Sequence, residues 1–161
     1  MSLTEAQIDA AKGQLESIHQ SCLYSAQAYF EAAKRAELWG RLMVFVPACV
    51  SAVSGFMSSF GHRPLWGGVA AVAGAVAATA SFLGATKKST DFLASARSYT
   101  VLRHKVKLEL QFLSHQGDYA DLRRRVEELN NEYTQIVSSD IPVPNRSFDL
   151  ASRRIDEGAA S

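Results

Sequence analysis

The chain has 161 residues, and its 17 Lys and Arg nearly balance its 16 Asp and Glu, which leaves a net charge of +1. This length suffices for one domain, or for one membrane unit with attached helices. A nearly neutral chain has no global basic field, so the composition gives no indication of nucleic-acid binding. The four histidines are scattered along the chain. We therefore expect no metal, no cofactor, no catalytic residues and no enzyme activity.

A long first helix is predicted for residues 4–40. Thr4-Glu5-Ala6-Gln7 fits a capping box, and the apolar or small residues that follow alternate at steps of three and four. Such a heptad seam is typical of a helix that packs along its length against other helices. Its members are Ile8, Ala11, Leu15, Ile18, Cys22, Ser25, Tyr29, Ala32, Ala36 and Trp39. Cys22 and Cys49 lie too far apart along the helical run to bridge, so we expect both to be reduced.

Two apolar stretches free of acidic residues, Leu42–Gly61 and Leu65–Thr86, follow in the middle of the chain. A bilayer core requires about 20 apolar residues in a helix. Because only residues 62–64 separate the stretches, we predict a transmembrane hairpin with spans at 41–61 and 64–86.

The flanking charges predict the orientation of this hairpin. No Asp or Glu occurs between Glu37 and Asp91, and the turn offers only Arg63. The cations on the terminal sides are Lys34, Arg35, Arg41, Lys87, Lys88 and Arg97. By the positive-inside rule, both termini are expected in the cytoplasm. Met1 is followed by a polar segment, so we expect no cleavable signal peptide and a first span that serves as its own insertion signal.

Small residues form stripes on both spans, and small residues let membrane helices approach closely. Two interpretations stay open: packing within the hairpin alone, or oligomeric packing around a serine-bearing lumen. The candidate pore-lining or packing residues are Ser51, Ser54, Ser58, Gly67, Ala71, Gly74, Ala78 and Ser81. No charged ring occurs inside either span, so a finely selective ion filter is not expected.

Four further residues of this region have candidate roles. Gly40, at the entry to the first span, and Pro47, which removes a helical hydrogen bond, are candidate hinges. Trp39 and Trp66 fall near opposite interfaces, where aromatic side chains anchor spans.

Residues 87–139 are predicted to form two cytosolic helices with apolar seams of their own. The first seam is Phe92, Ala96, Tyr99, Leu102, Val106, Leu110 and Leu113, and the second is Tyr119, Leu122, Val126, Leu129, Tyr133 and Ile136. Asp118 is expected to cap the second of these helices. Residues 140–161 form a proline-bearing linker and a short amphipathic helix, which Ser147 is expected to cap and which is expected to turn Phe148, Ala151 and Ile155 inward.

Basic residues cluster twice in this cytosolic part. Either they pair with carboxylates on solvated helix faces, or they contact an anionic ligand or anionic lipid. The candidates are Arg103, Lys105, Arg123, Arg124 and Arg125.

The order of these parts resembles the SLATT domains, which are two-transmembrane effector domains associated with bacterial nucleotide-signalling conflict systems. The resemblance covers nearly the whole chain. The matching parts are Ser25–Lys34, the two spans, Ala96–Arg103, Leu129–Ile136, Ile141-Pro142-Val143-Pro144 and Ala151–Ile155.

The residues themselves predict an all-α fold, because no strand pattern occurs, with a hairpin in the membrane and a cytosolic helical bundle beneath it. An oligomer is expected because an isolated two-span hairpin encloses no lumen, and the resemblance places such a multi-pass protein in the bacterial inner membrane. SLATT proteins are thought to form pores or perturb the membrane in antiphage defence, and so to kill or arrest the infected cell. Their trigger is a partner that makes or senses a nucleotide signal, or another sensor. No fused sensor domain is recognised here, so we expect the trigger to act in trans or to bind the cytosolic helices.

Two other functions stay open at this point. The hairpin would anchor a non-conducting helical scaffold, or the chain would be a helical toxin that hides its hairpin in a soluble form. The missing signal peptide and the flanking charges speak against the toxin.

Overall fold

The structure is a computed structural model that describes residues 4–60, 64–82, 87–113 and 118–158. Nearly all of these residues are helical and none lies in a strand, which confirms the all-α prediction. The helices are α1 (Glu5–Phe60), α2 (Pro64–Phe82), α3 (Lys87–Phe112), α4 (Tyr119–Ser139) and α5 (Asn145–Asp156). The predicted turn at His62 and Arg63 and the last residues of both predicted spans, 61 and 83–86, fall outside the described residues.

The helix starts differ in how they are capped. At α1, the Thr4 N–H donates to Gln7 Oε1 at 3.1 Å, which is one half of the predicted capping box. Asp118 does precede α4, but its side chain makes no capping hydrogen bond. The prediction for Ser147 was wrong, because α5 begins at Asn145, three residues before the predicted start at Phe148, and its N-cap is Pro144. Proline presets the backbone angle for helix entry without a side-chain cap.

The chain divides into two compact units. The first, here called the bundle, combines residues 1–32 with 92–161 and so contains the start of α1 and nearly all of α3, with α4 and α5. The second, here called the hairpin, is residues 33–91 and contains the rest of α1 together with α2.

The bundle has a continuous apolar core. Its larger members are Leu15, Ile18, Cys22, Tyr29, Phe92, Tyr99, Leu102, Val106, Leu122, Val126 and Leu129. Most of the α1 seam from Ala11 to Ala32 is thus buried inside one chain, against its own helices. The heptad pattern therefore does not require a second chain as its partner.

α5 packs on the bundle through small side chains. Ser147 and Ala151 are almost completely buried, whereas Phe148 is 44% exposed. The prediction that Phe148 faces inward was wrong. Ala151 is buried as predicted, but Ser147 rather than Phe148 lies on the same face, because residues i and i+4 share a face of a helix.

Within the hairpin, α1 has no break. It stays helical through Gly40, which is buried, and through Pro47. Membrane helices tolerate an internal proline when neighbouring groups satisfy the freed carbonyl. The hinge roles of Gly40 and Pro47 stay predictions.

Candidate functional site

The hairpin exposes its large apolar side chains, whereas the bundle buries most of its own. Two helical segments are long and apolar enough to cross a membrane. Of the 18 most apolar consecutive residues in each, only 6% and 0% are buried within the chain. The exposed side chains are Leu38, Trp39, Leu42, Met43, Phe45, Val46, Val50, Val53, Phe56, Met57, Leu65, Trp66, Val69, Val72, Val76 and Phe82. An exposed set of this size on two helices is typical of a surface that contacts lipid or another protein.

The serines of α1 face α2 rather than the outside of the hairpin. Ser51 Oγ donates to the Ala70 carbonyl oxygen at 2.9 Å, and Ser54, one turn further on, is only 3% exposed. A Cβ built on Gly74 would lie 3.3 Å from Ser51 Oγ. The two helices therefore approach closely here because Gly74 has no side chain to separate them.

The small residues of α2 divide between two faces. Ala70, Ala73, Gly74, Ala77 and Ala80 are partly covered, and Ala70 accepts the Ser51 hydrogen bond. This covered face shares only Gly74 with the predicted stripe. Four members of that stripe are exposed, namely Gly67, Ala71, Ala78 and Ser81. α2 carries small residues on nearly every face, so spacing alone was insufficient to select the contacting one.

Other small residues of the hairpin have open space above them. Ser58, although exposed, has its Oγ 3.9 Å from a Cβ built on Gly67, whereas a Cβ on Gly55 or on Gly68 would have no heavy atom within 4 Å. A second helix would meet backbone rather than bulky side chains at these places.

The five basic candidates lie in the bundle, and four of them are paired with carboxylates. Within α4, Arg123 Nε contacts Glu127 Oε1 at 2.7 Å and Arg124 Nη2 contacts Asp121 Oδ1 at 2.9 Å. Between helices, Arg125 pairs with Glu109 at 3.1 Å and Lys105 with Glu132 at 2.7 Å. These ion pairs are largely exposed, which favours the interpretation as a solvated helix face over an anionic-ligand site.

Arg103 has a different setting. It raises the local positive potential beside α1, where partial burial, Arg103, Lys107 and His104 lower the pKa of His19. The same region buries Cys22, and burial raises the pKa of its thiol to about 11. The thiol is therefore protonated at neutral pH and unreactive while the bundle is folded.

Sequence reasoning did not anticipate an aromatic cluster under the proline strap, here meaning residues 140–144. The Tyr29 ring stacks on Tyr99 with centroids 5.5 Å apart, and Tyr99 meets Tyr133 at 6.2 Å. The Tyr29 hydroxyl donates to the Ile141 carbonyl oxygen at 2.9 Å. Burial and the nearby Asp140 carboxylate raise the pKa values of both Tyr29 and Tyr99, so their hydroxyls stay protonated as donors. The signal was available: Tyr29 and Tyr99 both lie on the predicted seams.

Among the described residues, no group of His, Cys, Asp and Glu side chains is placed to hold a metal ion. Comparison of the chain with known protein families, with curated proteins and with solved structures found no match.

Proposed function

We propose that this protein is a membrane effector of a bacterial antiphage system, which oligomerises and forms a pore or otherwise perturbs the inner membrane. Activation by a partner in trans, or by a nucleotide signal, then causes cell death or growth arrest. The observation that carries the membrane part of the proposal is the hairpin, two helices of membrane-spanning length whose bulky apolar side chains are exposed among the described residues. Lipid tails are a solvent that such a surface fits.

The charges around the hairpin support a multi-pass arrangement with both termini in the cytoplasm. Within the described residues, Arg41, Lys87 and Lys88 flank the apolar segments, and the stretch between Glu37 and Asp91 has no carboxylate to offset them. A cytoplasmic leaflet rich in anionic lipid attracts such juxtamembrane cations.

Assembly of several copies is supported by the small residues that remain exposed. A single two-helix hairpin encloses no lumen, so conduction requires more copies. The open surfaces above Gly55 and Gly68 are places where another backbone would approach.

The resemblance to SLATT domains supports the defence role and the triggered release. It rests on the order of parts from Ser25 to Ile155 and supplies the class of trigger, a partner that makes or senses a nucleotide signal.

One observation favours a second function, a non-conducting membrane-anchored scaffold. Ser51 and Ser54, the hydroxyls that best suit a wet lumen, are turned toward α2 inside the hairpin, and Ser51 is already hydrogen-bonded there. No observation favours a soluble toxin that hides its hairpin, because the large apolar side chains of the hairpin are exposed among the described residues.

Release of size-graded dyes from vesicles of bacterial lipid tests the proposal, alongside growth of cells on induced expression. Leakage with a sharp size cutoff is expected once the trigger is supplied. Intact vesicles that contain inserted protein, under every candidate nucleotide and partner, would instead support the scaffold.

A further inference from the structure

α5 is tied to the bundle by an ion pair whose carboxylate is buried. Arg154 Nη1 lies 2.7 Å from Glu31 Oε1, and the Glu31 side chain is 7% exposed against 44% for Arg154. A carboxylate buried to this degree is stable as an anion only with a cationic or hydrogen-bonding partner. Glu31 is buried in α1, whereas Arg154 is partly exposed on α5. Separation of the pair therefore moves Arg154 with α5 and leaves Glu31 in place.

The strap that leads to α5 is extended. Asp140 ends α4 with φ −79° and ψ 147°, and Pro144 precedes α5 with φ −59° and ψ 135°. Pro142 and Pro144 lack backbone N–H groups and hold the residues before them extended, so α4 cannot continue into α5. The strap therefore acts as a stiff tether that holds a short helix away from the end of α4.

The area that holds α5 is small. Within this helix only Ser147 and Ala151 are buried, and both side chains are small. Elements with few buried apolar contacts open at a low free-energy cost. The specificity of docking thus comes from the Arg154–Glu31 pair and from the Tyr29 bond to the strap.

The seams of α1, α3 and α4 are largely buried within one chain. Copies that assemble through their bundles therefore need another surface. A second copy presents the same Glu31 site and the same Arg154 helix, and exchange of identical elements loses no contact of the closed form. Short, stiff hinge segments favour such an exchange.

We propose that α5 is an exchangeable arm, and that in the assembled protein the arm of one copy docks on Glu31 of its neighbour through Arg154. This inference rests on the proposed function only in that copies assemble; it requires neither a pore nor a particular trigger.

Charge reversal distinguishes docking within a chain from docking between chains. Glu31→Arg and Arg154→Glu each place like charges together within one chain. When the two variants are mixed, complementary pairs form only between different copies. We expect each variant alone to lose assembly at least about tenfold, and the mixture to recover the wild-type level, measured by co-purification of two differently tagged chains and by native mass spectrometry.

Two results would overturn the proposal. One is a mixture that stays as poor as the single variants while the double variant Glu31→Arg/Arg154→Glu is restored, because the arm then docks only within its own chain. The other is an assembled fraction of Glu31→Arg or Arg154→Glu alone that equals that of the wild type, because assembly then does not depend on this pair. The matched control is Lys105→Glu mixed with Glu132→Arg, a pair between α3 and α4, for which mixing should restore nothing.

A second variant covers the case in which Glu31→Arg does not fold. Six Gly and Ser residues inserted after Pro142 lengthen the tether, which disfavours exchange between copies. The Tyr29–Ile141 bond, the Pro144–Ser147 bond and the Arg154–Glu31 pair all lie outside the insertion. The assembled fraction should fall, and assembly equal to that of the wild type would overturn the proposal. Vesicle leakage is measured separately, so a protein that exchanges arms without leakage refutes the pore and retains the arm.

Discussion

Tyr29 joins three parts of the bundle through one side chain. It stacks on Tyr99, meets Phe92 at 6.1 Å between ring centroids, and donates to the strap at Ile141. Replacement by phenylalanine keeps the ring contacts and removes only the hydroxyl.

We expect Tyr29→Phe to destabilise the docked strap by about 1 kcal/mol, the typical net value of one hydrogen bond. Amide hydrogen exchange in residues 145–156 should accelerate, while exchange in α3 stays unchanged. Tyr24→Phe is the control, because Tyr24 is an exposed tyrosine of the same helix. Equal exchange in both variants would mean that the strap is held without the Tyr29 hydroxyl.

His19 predicts a pH dependence of bundle stability. Its folded-state pKa lies below the ordinary 6.5 because partial burial and neighbouring cations disfavour the imidazolium. The unfolded chain therefore takes up the proton first, so the free energy of unfolding decreases as the pH falls below about 6.5 and is retained above it.

Thermal unfolding in detergent at pH 7.5 and at pH 5.5 measures this effect. The melting temperature of the wild type should decrease at the lower pH by more than that of His19→Gln. A wild-type chain that melts higher at pH 5.5 than at pH 7.5, relative to the variant, would reverse the assigned sign.

At the scale of elements, substitutions at two glycines of α2 distinguish packing within the hairpin from contacts between copies, because the two glycines have opposite surroundings. Gly74 faces Ser51 at 3.3 Å from its virtual Cβ, whereas Gly68 has open space. We expect Gly74→Leu to force α1 and α2 apart and to destabilise the hairpin by about 1–3 kcal/mol, as overpacking does. Gly68→Leu should leave the hairpin intact.

Resistance of the inserted hairpin to denaturant and dye release are measured together on both variants. Loss of leakage in Gly68→Leu, with the hairpin still stable, would place another copy on that face. Loss of hairpin stability in Gly68→Leu but not in Gly74→Leu would contradict the packing described here.

The sequence was most informative where one physical effect dominated. The seams of α1, α3 and α4 are spaced by strict helical periodicity, so their buried faces were predictable, as were the two apolar segments. It was least informative where several placements were nearly equal in energy. α2 is small on nearly all sides, so its contact face depends on where Ser51 finds a carbonyl acceptor. α5 has too little apolar area for Phe148 to determine its rotation, and the Arg154–Glu31 pair joins residues far apart in the chain, which no local pattern indicates.

At the scale of the whole molecule, the hairpin interrupts the bundle in the sequence. Residues 1–32 and 92–161 form one unit, and the Tyr29 and Phe92 rings are in contact near the two points where the chain leaves and re-enters it. A short connection would therefore join those points without distortion.

We expect a chain in which a short Gly and Ser linker replaces residues 33–91 to be soluble without detergent, helical and cooperatively unfolding. The reason is that most exposed apolar side chains leave with the hairpin. The large ones that stay exposed among the described residues of the bundle are Tyr24, Val101, Leu108, Phe112, Tyr119, Val137, Ile141 and Phe148. Isolated apolar side chains are ordinary on soluble surfaces. Circular dichroism and sedimentation measure the outcome, with the full chain in the same buffer as the control. A shortened chain that still aggregates would show that the bundle has an apolar face of its own that requires cover, and the division into a membrane part and an aqueous part would then fail.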